Sequence, residues 1–119
     1  MIFIGTDIVE VQRIRDLMDR WPDRFIPRIF TPAEIAYCSR QSVPAIHFAG
    51  RFAAKEAVKK ALYAAGTREP VTLSSISVDR TAEGQPTVSW NGGTSTALQV
   101  SISHTDHQAV ATALAVVHD

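Results

Sequence analysis

Two runs of alanine set the tightest limit on what this chain can become. Between Ala109 and Ala115 every second residue is alanine, with Val110, Thr112 and Leu114 in the alternate places. A period of two describes a β-strand with one face of small residues. Alanine also recurs every fourth residue at Ala49, Ala53, Ala57 and Ala61, which places it along one stripe of an α-helix. Faces without bulk permit close approach, so this strand and this helix are expected to pack directly on each other.

Other segments supply the remaining pieces. Met1 to Val9 is apolar and β-branched and reads as a buried strand interrupted by Gly5. From Glu10 to Arg20, Val11, Ile14, Leu17 and Met18 recur at helical steps, and Pro22 ends that short amphipathic helix. Residues 25–30 read as a connector. Thr31-Pro32-Ala33-Glu34 is a helix start, with a hydroxyl at the cap, proline at the first position and a carboxylate at the third. That helix should run to about Cys38, and the longest one should span 46–65 and stop near Gly66. The second half is β-rich. Ile76 and Val78 pair with Val88 and Trp90 as a hairpin turned at Gly84-Gln85-Pro86, and Gly92-Gly93 reads as a loop. Leu98, Val100 and Ile102 alternate with Gln99, Ser101 and Ser103, giving a strand with one buried face that ends at His104.

Composition narrows the function. With 119 residues and 45% hydrophobic content, a single domain spanning 1–119 is expected. Twelve basic residues balance twelve acidic ones, so no net field draws nucleic acid or an anionic membrane, and any polyanion must be met by local clustering. Cys38 is the only cysteine; this excludes an internal disulfide or a multi-cysteine zinc site and fits a reducing compartment. Its plain reading is a small, semi-buried apolar residue. Neither a signal-peptide pattern nor a run near about 20 apolar residues is read, and a cytoplasmic protein is expected.

Several residues could carry chemistry, each with a plainer alternative. Asp7 follows an apolar strand and a glycine, where a carboxylate is costly unless it is paired, hydrogen-bonded or metal-bound; an acid favoured by the dipole of the next helix is the alternative. Glu56 is a lone carboxylate among Arg51, Lys55, Lys59 and Lys60, and an ion pair with Lys59 or Lys60 would explain it. Two such carboxylates with water would also make the hard oxygen site that magnesium takes when phosphates supply its other ligands. Arg51, Lys55 and Lys59 step by four, with Lys60 beside them, as a solvated face or as a phosphate-capturing stripe. Ser103 and His104 are neighbours on a strand and point to opposite faces, which argues against a hydrolytic serine and histidine pair. Phosphate binding needs only donors, and a capped turn is the plainer reading. His47, His107 and His118 lack metal-ligand spacing and read as surface residues. Arg13 and Arg20 share a helix face and Arg24 continues beyond it. Interspersed aspartates suggest local salt bridges; an acidic partner helix, with Leu17, Met18 and Trp21 adding apolar contact, is the sharper reading.

Four blocks taken together resemble holo-(acyl-carrier-protein) synthase, the small single-domain class of 4′-phosphopantetheinyl transferases. They are Gly5-Thr6-Asp7-Ile8-Val9-Glu10-Val11 with Arg13-Ile14, Arg28-Ile29-Phe30-Thr31 with Glu34, Ala49-Gly50-Arg51-Phe52-Ala53-Ala54-Lys55-Glu56-Ala57, and Val100-Ser101-Ile102-Ser103-His104-Thr105. The resemblance implies an α+β fold, a small antiparallel-rich sheet packed against a long central helix with short N-terminal helices, assembled as a homotrimer with active sites in the clefts between subunits. It implies transfer of 4′-phosphopantetheine from coenzyme A to a serine of apo acyl carrier protein, releasing adenosine 3′,5′-bisphosphate. By the same resemblance Asp7 and Glu56 match the Mg2+ ligands and the catalytic pair. Arg51, Lys60 and His104 match positions at the coenzyme A phosphates, with Ser103 adjoining. Arg13 and its helix, with Leu17, Arg20 and Arg24, match the surface that receives the acidic helix of the carrier protein. The serine proton would pass to Glu56 or to a water acidified by the ion. A metal-dependent phosphoesterase and a non-catalytic carrier-binding module are the alternatives.

Overall fold

In the computed structural model, which describes residues 1–92 and 96–118, the first and last strands of the chain lie side by side. β1 (Ile2–Glu10) runs antiparallel to β5 (Gln108–Val117), with Gly5 opposite Ala113, and β5 runs antiparallel to β4 (Thr96–His104), with Val100 opposite the same alanine. β5 is therefore the middle strand of three. Its inward residues Ala109, Ala111, Ala113 and Ala115 are all fully buried. Against them lies α4 (Pro44–Ala64), presenting buried Ala49, Ala53, Ala57 and Ala61. The close helix-on-sheet contact expected from the two alanine runs is what forms.

β1 makes the tightest approach. A Cβ at Gly5 would overlap the Ala57 carbonyl oxygen of α4, so the glycine serves close passage rather than a break in the strand. The other face of β1 departs from expectation. Ile2, Ile4 and Ile8 are 63%, 62% and 59% exposed, so only Phe3, Gly5, Asp7 and Val9 face the helix.

The N-terminal helices are short. α1 (Val11–Arg20) buries Val11 and Ile14. The presumed connector at 25–30 contains a single helical turn, α2 (Ile26–Ile29), because Phe25 and Phe30 are pulled into the core on either side of it. α3 (Pro32–Ser39) starts in the expected capping box: Thr31 Oγ1 accepts from the Glu34 amide at 3.2 Å, and Glu34 Oε1 accepts from the Thr31 amide at 2.7 Å. α4 begins two residues earlier than read, with Pro44 at its first position. It ends in a Schellman closure, where the amides of Gly66 (φ 99°) and Thr67 donate to the Tyr63 and Leu62 carbonyls. β2 (Ile76–Arg80) and β3 (Pro86–Trp90) form the separate hairpin expected, turning through Gly84 at φ 86°. Of the anticipated Gly92-Gly93 loop, Gly93 lies outside the described residues.

The fold also relocates Lys55, read above as part of a surface cationic stripe. Its side chain and that of Glu34 are both 0% exposed and their charges meet at 2.8 Å. Lys55 Nζ donates further to the carbonyls of Ile29, Leu73 and Ile76 at 2.7, 3.2 and 2.8 Å. Glu34 Oε2 accepts the Val78 amide at 2.7 Å. One ion pair thus joins α2, α3, α4 and β2. Burial pulls the Lys55 ammonium below its ordinary value, while the hydrogen bond and charge of Glu34 pull it back. Lys55→Met would leave Glu34 buried without its counter-charge and is expected to lower the unfolding free energy by about 3–5 kcal/mol. A urea midpoint equal to that of the unaltered protein would refute that cost.

Candidate active site

Because Asp7 lies two residues beyond the Gly5 crossing on the inward face of β1, it points along α4 rather than into solvent. Lys60 of α4 reaches back to it, donating to Asp7 Oδ1 at 3.2 Å and to the Thr6 carbonyl at 2.9 Å. Glu56 stands one turn earlier on the same side of the helix. It is half-buried and makes no ion pair among the described residues. The plainer reading, a pair with Lys59 or Lys60, does not form. Asp7, Lys60 and Glu56 thus gather along one edge of the helix–sheet contact.

The donor chemistry at this edge suits a hard divalent cation. The Lys60 ammonium already rests there on the Asp7 carboxylate and the Thr6 carbonyl oxygen, and Glu56 stands one helical turn before Lys60. No cluster of three or more metal-capable side chains occurs among the described residues. Such a pair fits an ion that draws its remaining ligands from water and phosphate oxygens, as magnesium does.

A second cluster sits elsewhere on α4. Arg51 precedes Lys60 by nine residues, about two and a half helical turns, so the two cations leave opposite sides of the helix. With His47, Arg80 and His104, Arg51 lines a cavity of about 200 Å³. Pro86 and Ile102 are shared between this cavity and an open groove of about 450 Å³ between β3 and β4, making one continuous recess. Gly50 lets α4 come close there, since a Cβ would stand 3.1 Å from Ile102 Cγ2.

His47 corrects the sequence reading. It is half-buried, not a surface residue, with its ring edge-on to His104 at 5.8 Å and to Tyr37 at 6.0 Å. His107 and His118 are exposed as expected. Ser103 projects from the opposite face of β4, exposed with Ser101, and does not share the recess with His104. Tyr37 and Arg80 were missed: they come from α3 and β2, and no local pattern marks either one. Cys38 is fully buried, and burial pushes its thiol up to about 11, which removes it as a nucleophile.

On α1, Arg13 and Arg20 are exposed, and Leu17 is half-buried. Leu17, Arg20 and Trp21 line an open depression together with Asp16 and Asp19. Arg24 stacks on the Trp21 ring at 5.7 Å, while Arg13 lies outside that lining. No described helix is long and apolar enough to cross a membrane.

Comparison with known proteins identifies the family. A family model described as the 4′-phosphopantetheinyl transferase superfamily matches residues 3–115. The chain is 42% identical over 118 residues to a holo-(acyl-carrier-protein) synthase of Koribacter versatilis, covering 92% of this chain and 94% of that relative. To a holo-(acyl-carrier-protein) synthase of Chlorobaculum tepidum it is 46% identical over 112 residues, covering 93% and 95%. Its fold is similar to that of a Chronobacterium ammoniagenes ACPS–CoA complex, with a TM-score of 0.85, 26% identity, and coverage of 100% of this chain and 99% of that one.

The recess is also sensitive to acid. Burial first, then the charges of His104 and Arg51, hold His47 below its ordinary value. In the native state His47 therefore stays neutral where the unfolded chain already binds a proton. The resulting stability is present above about pH 6.5 and is lost as the pH falls through the lower native value. His47→Gln is expected to flatten the decline in urea midpoint between neutral and acidic pH; an identical slope in both proteins would contradict the assignment.

Proposed function

The chain belongs to the 4′-phosphopantetheinyl transferase superfamily as an enzyme of the holo-(acyl-carrier-protein) synthase type, and on that premise we propose the following reaction. The whole chain, one domain acting in the cytoplasm, transfers 4′-phosphopantetheine from coenzyme A to a serine of apo acyl carrier protein. The serine oxygen forms a bond to the pantetheine-side phosphorus, the bridging P–O bond breaks, and adenosine 3′,5′-bisphosphate leaves with the bridging oxygen. The observation that carries this reading is the Lys60 ammonium resting on Asp7, one helical turn from Glu56, which makes no ion pair among the described residues.

Asp7 and Glu56 supply the oxygen donors that would hold Mg2+. Bound there, the ion would neutralise charge on the diphosphate oxygens. Glu56 is the candidate acceptor of the serine proton at a carboxylate oxygen. Lys60 offers a point charge to phosphate near the same edge, and Arg51 with His104 holds phosphate in the recess. Exposed Arg13, Arg20 and Arg24, with Leu17, would receive the acidic helix of the carrier protein.

Arg51 and Lys60 leave opposite sides of α4, so one subunit does not turn both toward a single donor molecule. This favours clefts completed by a neighbouring subunit. The outward face of the three-stranded sheet, with exposed Ile2, Ile4, Ile8 and Val110, is the apolar surface such a homotrimer would bury. Ser103, on that face, would meet the donor only across a subunit boundary.

Intact mass of an apo carrier protein, incubated with the enzyme, coenzyme A and magnesium, tests the reaction. A gain of one phosphopantetheine group is expected. Phosphate release without that gain would indicate a phosphoesterase, and neither would indicate a carrier-binding module. Glu56→Gln should lower transfer by about 10²- to 10⁴-fold with its sedimentation unchanged, and full turnover would remove Glu56 from the chemistry. For the assembly, Ile4→Asp should shift sedimentation from trimer to monomer. An unaltered protein that sediments as a monomer at assay concentration would sink the shared cleft.

A further inference from the structure

Within the recess, two guanidinium groups face a single aromatic ring. Arg51 of α4 places its guanidinium carbon 4.2 Å from the centroid of Tyr37, and Arg80 of β2 places its own at 5.0 Å. Arg80 Nη1 donates to the Tyr37 hydroxyl, and Nη2 donates to the Gly84 carbonyl at 2.9 Å. Two like charges brought together repel each other, and the negative face of the ring offsets part of that repulsion. No carboxylate pairs with either arginine among the described residues. Arg51 is only 6% exposed, and its Nε is buried without a hydrogen-bond partner. A buried, unpaired guanidinium is costly, and here it borders a cavity completed by two imidazoles. That arrangement calls for an oxyanion able to accept from several donors at once.

We infer that Tyr37 is a positioning residue whose ring and hydroxyl hold Arg51 and Arg80 side by side as a two-guanidinium grip on a phosphate of the donor. The inference rests on the proposed reaction for the identity of that donor. Tyr37 belongs to α3, Arg51 to α4 and Arg80 to the β2–β3 hairpin, so the tyrosine contacts both guanidinium groups and sets the spacing between them. Glu56, Asp7 and Lys60 lie along another side of α4. Loss of Tyr37 therefore weakens donor binding and leaves the chemical step largely intact.

The test uses the full-length protein with Tyr37→Leu, Tyr37→Phe and Arg80→Gln variants. KM for coenzyme A and kcat are measured, together with calorimetric binding of adenosine 3′,5′-bisphosphate, which needs no turnover. Tyr37→Leu should weaken both KM and nucleotide binding by about tenfold, with kcat within about twofold. Tyr37→Phe keeps the ring and should show a smaller loss. Combined with Arg80→Gln it should add little to the loss from Arg80→Gln alone, because both changes remove one contact. Unchanged binding in Tyr37→Leu, an equal fall in kcat, or additive losses in the double variant would overturn the inference. Should Tyr37→Leu fail to fold, the Tyr37→Phe and Arg80→Gln cycle decides it. If the unaltered protein binds the nucleotide but never modifies a carrier protein, the reaction fails while this role for Tyr37 stands.

Discussion

The Lys55–Glu34 ion pair is the constraint on which the rest of the molecule hangs. Its ammonium is shared among one carboxylate and three carbonyls from separate segments, and the carboxylate also closes a helix cap and holds the Val78 amide in the middle of β2. Neither group reaches water. Each would be an uncompensated buried charge without the other, so the short helices, the hairpin and the long helix adopt one mutual arrangement. That arrangement fixes where Arg51 and Glu56 emerge, four residues before Lys55 and one residue after it.

The opposite side of α4 is set by absence of bulk. Gly5 and the alanines of α4 and β5 bring helix and sheet together closely enough that Asp7 and Lys60 can meet. A larger residue at Gly5 would push β1 off the helix and carry Asp7 with it. The small-residue contact is therefore as much a part of the candidate site as the charged groups are.

Features with local causes could be read directly. The alanine periods, the Thr31–Glu34 capping box and the stop at Gly66 depend on residues within a few positions of one another, and they formed as expected. The four motif blocks brought Asp7, Glu56, Arg51 and His104 into view together. Lys55 was misread because a lysine on a helix looks the same whether its face is wet or dry. A signal was available: it stands three residues from Phe52 and Val58 and seven from Phe48 and Leu62, within an apolar stripe. Tyr37 and Arg80 carried no such signal, being 43 residues apart and joined only by the fold. The outward isoleucines of β1 misled for a related reason, since apolar alternation on both faces does not say which face the same chain covers.

The order of the strands bears on how the chain is made. Met1 and Val117 are hydrogen-bonded across a separation of 116 residues, and β5, the strand between β1 and β4, follows both of them in the chain. Until β5 docks, β1 has no neighbour to pair with and the alanine stripe of α4 lacks half its cover. Non-local pairing of this kind slows folding and leaves apolar edges open to other chains in the interval. Docking of β5 thus joins β1 to β4 and covers the α4 alanines, and a chain without Gln108–Val117 would leave β1 and β4 without the partner they share.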